Sequence, residues 1–167
     1  MSYINHYQSP IGHITMASNG EALIGLWFEG QKYFGSTLAA NPIPRELPIF
    51  AQTARWLDIY FQGQNPDFTP PLHLQTSDFR RLVWQKMLQI PFGQTTTYGT
   101  IAAEIAEQKG LPSMSAQAVG NAVAHNPFLI IVPCHRVIGA DGSLTGYAGG
   151  IDKKRRLLAL EGVLPDE

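Results

Sequence analysis

Residues 63–77, GQNPDFTPPLHLQTS, hold three prolines, and the apolar spacing changes across them. Proline fixes φ and has no N–H, so neither a helix interior nor a central strand runs through such a segment. A chain interrupted there builds two bodies. Before the interruption, Pro10, Gly12, Gly20, Gly25 and Gly30 cut the first 35 residues into short pieces such as HITMAS and ALIGLWFEG. Apolar and polar residues alternate in them, which is strand spacing, and SNGE at 18–21 reads as a hairpin turn. IFAQTARWLDIYFQG is apolar at 49, 50, 54, 57, 60 and 61, which is helical spacing, with Gly63 as its stop. The expected architecture is α/β of the α+β kind. Residues 1–76 form a small β-sheet domain with at least one helix, and residues 77–167 form a mostly helical domain.

The second part reads as helices joined by turns. Ser77 or Asp78 can cap a helix whose apolar face includes Phe79, Leu82, Val83, Met87 and Leu88. Thr97 can cap YGTIAAEIAEQ, and Ser115 can cap AQAVGNAVAH. These last two, joined by a short turn with Gly110, have the layout of a helix-turn-helix. The second of them carries Ala116, Ala118, Gly120, Ala122 and Ala124, small enough to let its backbone approach a neighbouring helix or DNA. The apolar run PFLIIVP reads as an extended segment leading to Cys134. A glycine-rich stretch, VIGADGSLTGYAGG, follows, and then a helix, IDKKRRLLALEG, that Gly162 ends.

With 167 residues, 44% hydrophobic and 15% charged, the composition is that of an ordinary globular protein. A single cysteine excludes an internal disulfide. The opening MSYINHYQSPIGH lacks the basic start and apolar run of a signal peptide, and no run approaches 18 apolar residues. The expectation is a cytoplasmic protein with a reduced thiol and no membrane contact. Net charge is −1, but residues 1–77 carry −2 and residues 78–167 carry +1, with Lys153, Lys154, Arg155 and Arg156 in one run. That asymmetry is compatible with a local nucleic-acid surface.

Cys134 sits in VPCHR. A lone cysteine commonly serves as a small buried hydrophobe. Here His135 can take a thiol proton directly or through one water, and Arg136 carries a fixed charge. Successive strand residues point to opposite faces, so Cys134 and His135 meet only if the chain turns or a water bridges them. Glu161 is a candidate to orient the imidazole. Each residue also has an ordinary reading: a structural histidine, an Arg136 salt bridge or carbonyl cap, a solvated glutamate.

PCHRV at 133–137 resembles the active-site motif of the O6-alkylguanine-DNA alkyltransferases. SPIG at 9–12, PFGQTTTYGTIA at 91–102, AVGNAVAHNP at 118–127, GYAGG at 146–150 and LEG at 160–162 follow that family's order along nearly the whole chain. The resemblance implies a ribonuclease H-like N-terminal domain and a reaction: Cys134 accepts the alkyl group of O6-alkylguanine once and irreversibly, with O4-alkylthymine as a further substrate. It implies that His135 deprotonates Cys134 through a water, with Glu161 orienting the imidazole. Tyr98 then meets N3 of a flipped base, and Asn126 ties the helix-turn-helix to the active-site segment. The Val137 carbonyl accepts from the guanine amino group, and Tyr147, Ala148 and Gly149 cover a pocket walled also by Val123 and Leu129.

The recognition helix, with Ala116, Ala118, Gly120 and Val123, is implied to enter the minor groove of double-stranded DNA. Gln117 stands where many members place an arginine that fills the gap left by the base. Arg136 and the 153–156 run are candidates to touch phosphate, beside the favoured salt bridge or carbonyl cap for Arg136 and a solvated helix face for the run. No metal and no cofactor are expected, and a monomer is. Three rivals stand beside this reading: a lesion sensor without chemistry, a cysteine hydrolase with a Cys-His-Glu site, and a DNA-binding module with a buried cysteine.

Overall fold

A computed structural model describes residues 1–144 and 146–164. The chain divides into two compact units, 1–74 with 127–129, and 75–126 with 130–167. The division falls two residues before the expected 76/77 boundary. Pro127–Leu129 groups with the N-terminal unit, a grouping that nothing in its local sequence signals.

The N-terminal unit is a four-stranded sheet in the order β3-β2-β1-β4, with one helix. β1 (Tyr3–Ser9) and β2 (Gly12–Ser18) pair antiparallel in unbroken register, Tyr3 opposite Ser18 and Ser9 opposite Gly12. The Ser9 hydroxyl closes the connection, donating to the Gly12 carbonyl and accepting from the Ile11 N–H. β3 (Leu23–Phe28) joins β2 through the turn expected at SNGE. There the Ser18 hydroxyl accepts from the Gly20 N–H and the Asn19 side chain accepts from Glu21 and Ala22, the local bonding that makes these residues turn formers. β4 (Ile43–Pro44) lies parallel to β1.

All six residues of β3 are buried. Its outer edge is occupied by chain from elsewhere: Leu23 exchanges hydrogen bonds with Pro71 and His73, and Leu26 with Pro127 and Leu129. Gly25 is required within it, because a Cβ there would sit 2.1 Å from the Trp27 ring. Helix α1 (Pro48–Phe61) starts with proline in its first turn, where no N–H is needed, and buries Ile49, Phe50, Trp56, Leu57 and Tyr60.

The C-terminal unit holds α2 (Asp78–Leu88), α3 (Tyr98–Lys109), α4 (Ala116–Ala124) and α5 (Ile151–Leu160). A short parallel ribbon pairs β5 (Thr96–Thr97) with β6 (Val137–Ile138). Each of the first three helices has a side-chain N-cap: Ser77 accepts from Arg80, Thr97 from Thr100 and Ser115 from Ala118. Gly110 ends α3 at φ +67°, the left-handed conformation glycine adopts without penalty. The small residues of α4 allow close packing: Ala122 is buried, and its carbonyl accepts from the Trp84 indole at 3.3 Å. Ser115→Ala leaves the Ala118 N–H without that acceptor, and an expected loss of about 1 kcal/mol is measurable by urea unfolding.

The run PFLIIVP is not a strand. Only Phe128 makes a bridge, to Leu26, and residues 129–132 turn. Ile130 holds φ +72°, which a β-branched residue avoids, and Pro127 and Pro133 bracket the run without N–H groups to donate.

Candidate active site

The turn that carries the cysteine is built from its own sequence. Pro133 takes φ −80°, ψ +67°, the inverse γ-turn geometry that its ring favours, and the Cys134 N–H bonds to the Val132 carbonyl at 2.8 Å. Cys134–Arg136 then form one turn of 3₁₀-helix, closed by the Val137 N–H on the Cys134 carbonyl. With three residues per turn, Cys134, His135 and Arg136 point in three directions, and all three are buried.

Glu161, at the C-terminal cap of α5, is where two of them converge. His135 Nε2 lies 2.6 Å from its Oε2. Arg136 donates Nε to Oε1 at 2.9 Å and a terminal nitrogen to Oε2 at 3.2 Å. The Gly93 N–H donates to Oε1 at 2.9 Å, and the other Arg136 terminal nitrogen donates to the Ile90 carbonyl at 2.7 Å. An ionised carboxylate only accepts, so every contact here is a donor contact, and the His135 proton belongs on Nε2.

Burial pushes the Glu161 carboxyl up, but the His135 and Arg136 bonds and charges outweigh it and hold the group near 2. Burial lowers His135 more than the Glu161 carboxylate raises it. The pair is therefore a neutral imidazole on a carboxylate, and Nδ1, also buried, is the ring nitrogen that does not face Glu161.

Burial raises the Cys134 thiol to about 11, against the pull of an Asn126 hydrogen bond and the Lys154 charge. Asn126 also donates to the Val132 carbonyl at 2.8 Å, holding the entry to the turn. The single cysteine makes this measurable. Thiolate absorbance near 240 nm, taken as the difference from Cys134→Ser, is expected to rise with a midpoint near 11. A midpoint at or below the free-thiol value of about 8.5 would contradict the burial argument.

The remaining expected residues fall in the C-terminal unit, with one exception. Tyr98 opens α3; a Cβ on Gly120 would lie 3.7 Å from its ring, and one on Gly146 would lie 3.0 Å from its hydroxyl. On α4, Ala116 and Gln117 are exposed, Ala118 and Gly120 half-buried and Val123 buried. Tyr147 meets His135 edge to face, rings 6.5 Å apart, with Ala148 and Gly149 half-buried beside it. Leu129 is the exception, grouped with the N-terminal unit.

Arg136 makes both the salt bridge and the carbonyl cap read for it: it is 8% exposed and bonded to Glu161 and the Ile90 carbonyl. One expectation about charge is corrected. Lys154 leaves the basic run, with no exposed surface, and donates to the Val137 carbonyl at 2.6 Å. Its place was legible in the spacing, three, four and seven residues before Leu157, Leu158 and Glu161, on the buried face of α5. Arg155 and Arg156 remain exposed. Gly93 acts through its backbone, which residue type does not reveal. Among the described residues no three His, Cys, Asp or Glu side chains gather for a metal, and no helix is long and apolar enough to cross a membrane.

Two family profiles match, the ribonuclease-like domain of 6-O-methylguanine DNA methyltransferase over residues 2–74 and its DNA-binding domain over residues 78–163. A Mycobacterium bovis protein named methylated-DNA–protein-cysteine methyltransferase is 46% identical over 159 residues, covering 93% of this chain and 92% of its own. A Methanosarcina acetivorans protein of the same name is 41% identical over 161 residues, covering 96% and 98%. The crystal structure of the Mycobacterium tuberculosis O6-methylguanine methyltransferase superposes with a TM-score of 0.82 at 43% identity, covering 100% of this chain and 97% of that one. A structure of OGT from that organism in complex with DNA gives 0.81 at 43% identity, covering 95% and 92%.

Proposed function

The chain belongs to the 6-O-methylguanine DNA methyltransferase family, and on that premise we propose that it repairs DNA by moving the alkyl group of O6-alkylguanine onto its own Cys134. The observation that carries the assignment of the acceptor is the arrangement around the sole cysteine: a turn holds it one residue from a neutral imidazole whose Nε2 is committed to Glu161.

The thiol proton passes through a water to His135 Nδ1. The thiolate attacks the alkyl carbon as the C–O6 bond breaks, and the electron pair leaves with guanine. A proton must reach that leaving group, and the Tyr98 hydroxyl at N3 assists the step. The balance is one thiol and one alkylguanine in, one thioether and one guanine out. No group in the site reverses a thioether, so each molecule reacts once. The ionised Glu161 fixes the imidazole and stabilises the transient imidazolium, the part a carboxylate plays in a nucleophile–base–orienter triad.

The base is reached by extrusion from double-stranded DNA, with α4 in the minor groove. Ala116, Ala118 and Gly120 suit close approach, and Gln117, which is exposed, fills the gap in this reading. The Val137 carbonyl has a second lone pair beside its bond to Lys154, enough to accept from the guanine amino group. Tyr147, Ala148 and Gly149 cover the base, with Val123 behind it, and O4-alkylthymine is a weaker substrate. The protein acts as a monomer in the cytoplasm, without cofactor or metal.

The deciding experiment is intact mass and peptide mapping after mixing with a duplex bearing one O6-methylguanine. A gain of one methylene on Cys134, capped at one per molecule, supports transfer. A bound but unaltered lesion favours a sensor. Gln117→Arg adds a planar cation to the gap-filling position, and transfer from duplex DNA is expected to quicken about two- to fivefold, with no change on a single strand. Single-turnover rates on the two substrates check this.

A further inference from the structure

Lysines on a surface helix lay the stem along apolar groups and keep the ammonium in water. Lys154 does not: the whole residue is buried, and its Nζ reaches the Val137 carbonyl at 2.6 Å. Val137 is the residue that closes the 3₁₀ turn, its N–H on the Cys134 carbonyl. One ammonium therefore holds the far end of the turn that begins at Pro133. An apolar side chain of similar length would fill this place without the cost of dehydrating a charge.

We infer that Lys154 is a positioning residue for alkyl transfer: its ammonium fixes the Cys134 turn through the Val137 carbonyl and supplies the positive charge against which the Cys134 thiolate forms. The inference rests on Cys134 being the acceptor, as proposed above. No bond to Lys154 is made or broken, and its proton stays on Nζ through the transfer.

The groups around it agree. On the 3₁₀ turn, the Lys154 charge opposes the rise of the Cys134 thiol and lowers the neighbouring His135, which keeps the imidazole able to accept a proton. Arg136 lowers His135 in the same way, while Glu161 raises it. On α5 itself, Arg155 and Arg156 point to solvent and Asp152 pairs with Arg155 at 3.6 Å, so the surface charges stand apart from the buried one. Burial lowers Lys154 to about 8, with Cys134 pulling the other way.

The sign follows from these directions. The ammonium is complete below about pH 8 and is lost above it, while the thiolate fraction of Cys134 climbs towards about 11. Between the two, gain of thiolate and loss of ammonium cancel.

The test uses the full chain and a duplex with one O6-methylguanine, with single-turnover rates from pH 6 to pH 10. The wild-type rate is expected to rise with pH and level off near 8. Lys154→Met is expected to transfer about tenfold or more slowly at pH 7, to keep rising through pH 8, and to bind the duplex as wild type does. Its urea midpoint is expected to be no lower than wild type, and its thiolate midpoint higher. A folded Lys154→Met with wild-type rates and profile overturns the inference. Should that variant not fold, a wild-type rate that climbs straight through pH 8 overturns it instead. If the wild-type protein leaves Cys134 unalkylated, the alkyl-transfer reading itself fails, which is a separate outcome.

Discussion

Cys134→Ser is expected to gain no mass from a duplex carrying O6-methylguanine and to leave the lesion intact, while still retarding that duplex in a gel. The loss is complete because the chemistry needs a soft, ionisable nucleophile. A thiol whose burial raises it to about 11 can still be deprotonated through His135. A serine hydroxyl is far less acidic and, as an oxygen nucleophile, attacks saturated carbon poorly in the same place. Binding survives because Cys134 is 3% exposed and contributes almost nothing to the surface DNA would meet. Transfer that persisted in the serine protein would move the acceptor to another residue and remove the basis for the proposed mechanism. Loss of transfer together with loss of lesion binding would instead point to a disturbed turn.

Glu161→Gln is expected to cost about 3–5 kcal/mol of stability at pH 7, as removing one member of a buried ion pair does. The reason lies in the donors. His135, two Arg136 nitrogens and the Gly93 N–H all point at the two carboxylate oxygens. Glutamine replaces one acceptor by an NH₂, which faces donors, and it leaves the Arg136 guanidinium buried without its counter-charge.

The pH dependence follows from the same geometry. Burial alone would raise Glu161, yet its bonds take it from the ordinary 4.5 down to about 2. Its folded value is depressed, so its contribution is complete above about 4.5 and disappears as pH falls towards 2. Urea titrations should show a wide gap between wild type and Glu161→Gln at pH 7 that closes between pH 5 and pH 2. A gap that stayed constant with pH would mean the carboxylate is not ionised in the folded protein.

What the sequence made legible is what is local. Ser77, Thr97 and Ser115 were readable as caps because a cap needs only a short polar side chain ahead of an apolar-periodic run, and all three accept from the residue three ahead. The turns at Asn19 and at Gly110 are equally short-range. PFLIIVP reads as extended because a brief apolar run has no period of its own; the prolines at both ends are the better signal. Charge is only partly legible for a related reason. A salt bridge or carbonyl cap is readable for Arg136, but its partners, Glu161 and the Ile90 carbonyl, lie 25 and 46 residues away. Lys154 reads as part of an exposed run because charges are usually outside, whereas the Val137 carbonyl lies 17 residues away. Only the helical spacing of Lys154 with Leu157, Leu158 and Glu161 carried the warning. The His135–Glu161 link follows from the family resemblance; from the residues alone Glu161 is only a candidate, because no local pattern joins positions 26 residues apart.

The N-terminal unit is discontinuous: its β3 edge is completed by Pro127–Leu129, which leaves the ribosome only after most of the second unit's helices. At ordinary synthesis speeds of about 5–20 residues per second, that edge waits several seconds after residue 74 for its last partner. During that interval the Leu26 N–H and carbonyl have no strand to pair with, on the most apolar strand of the sheet. The nascent chain thus carries a temporary template for pairing with other chains, and the order of translation limits when the first unit can close.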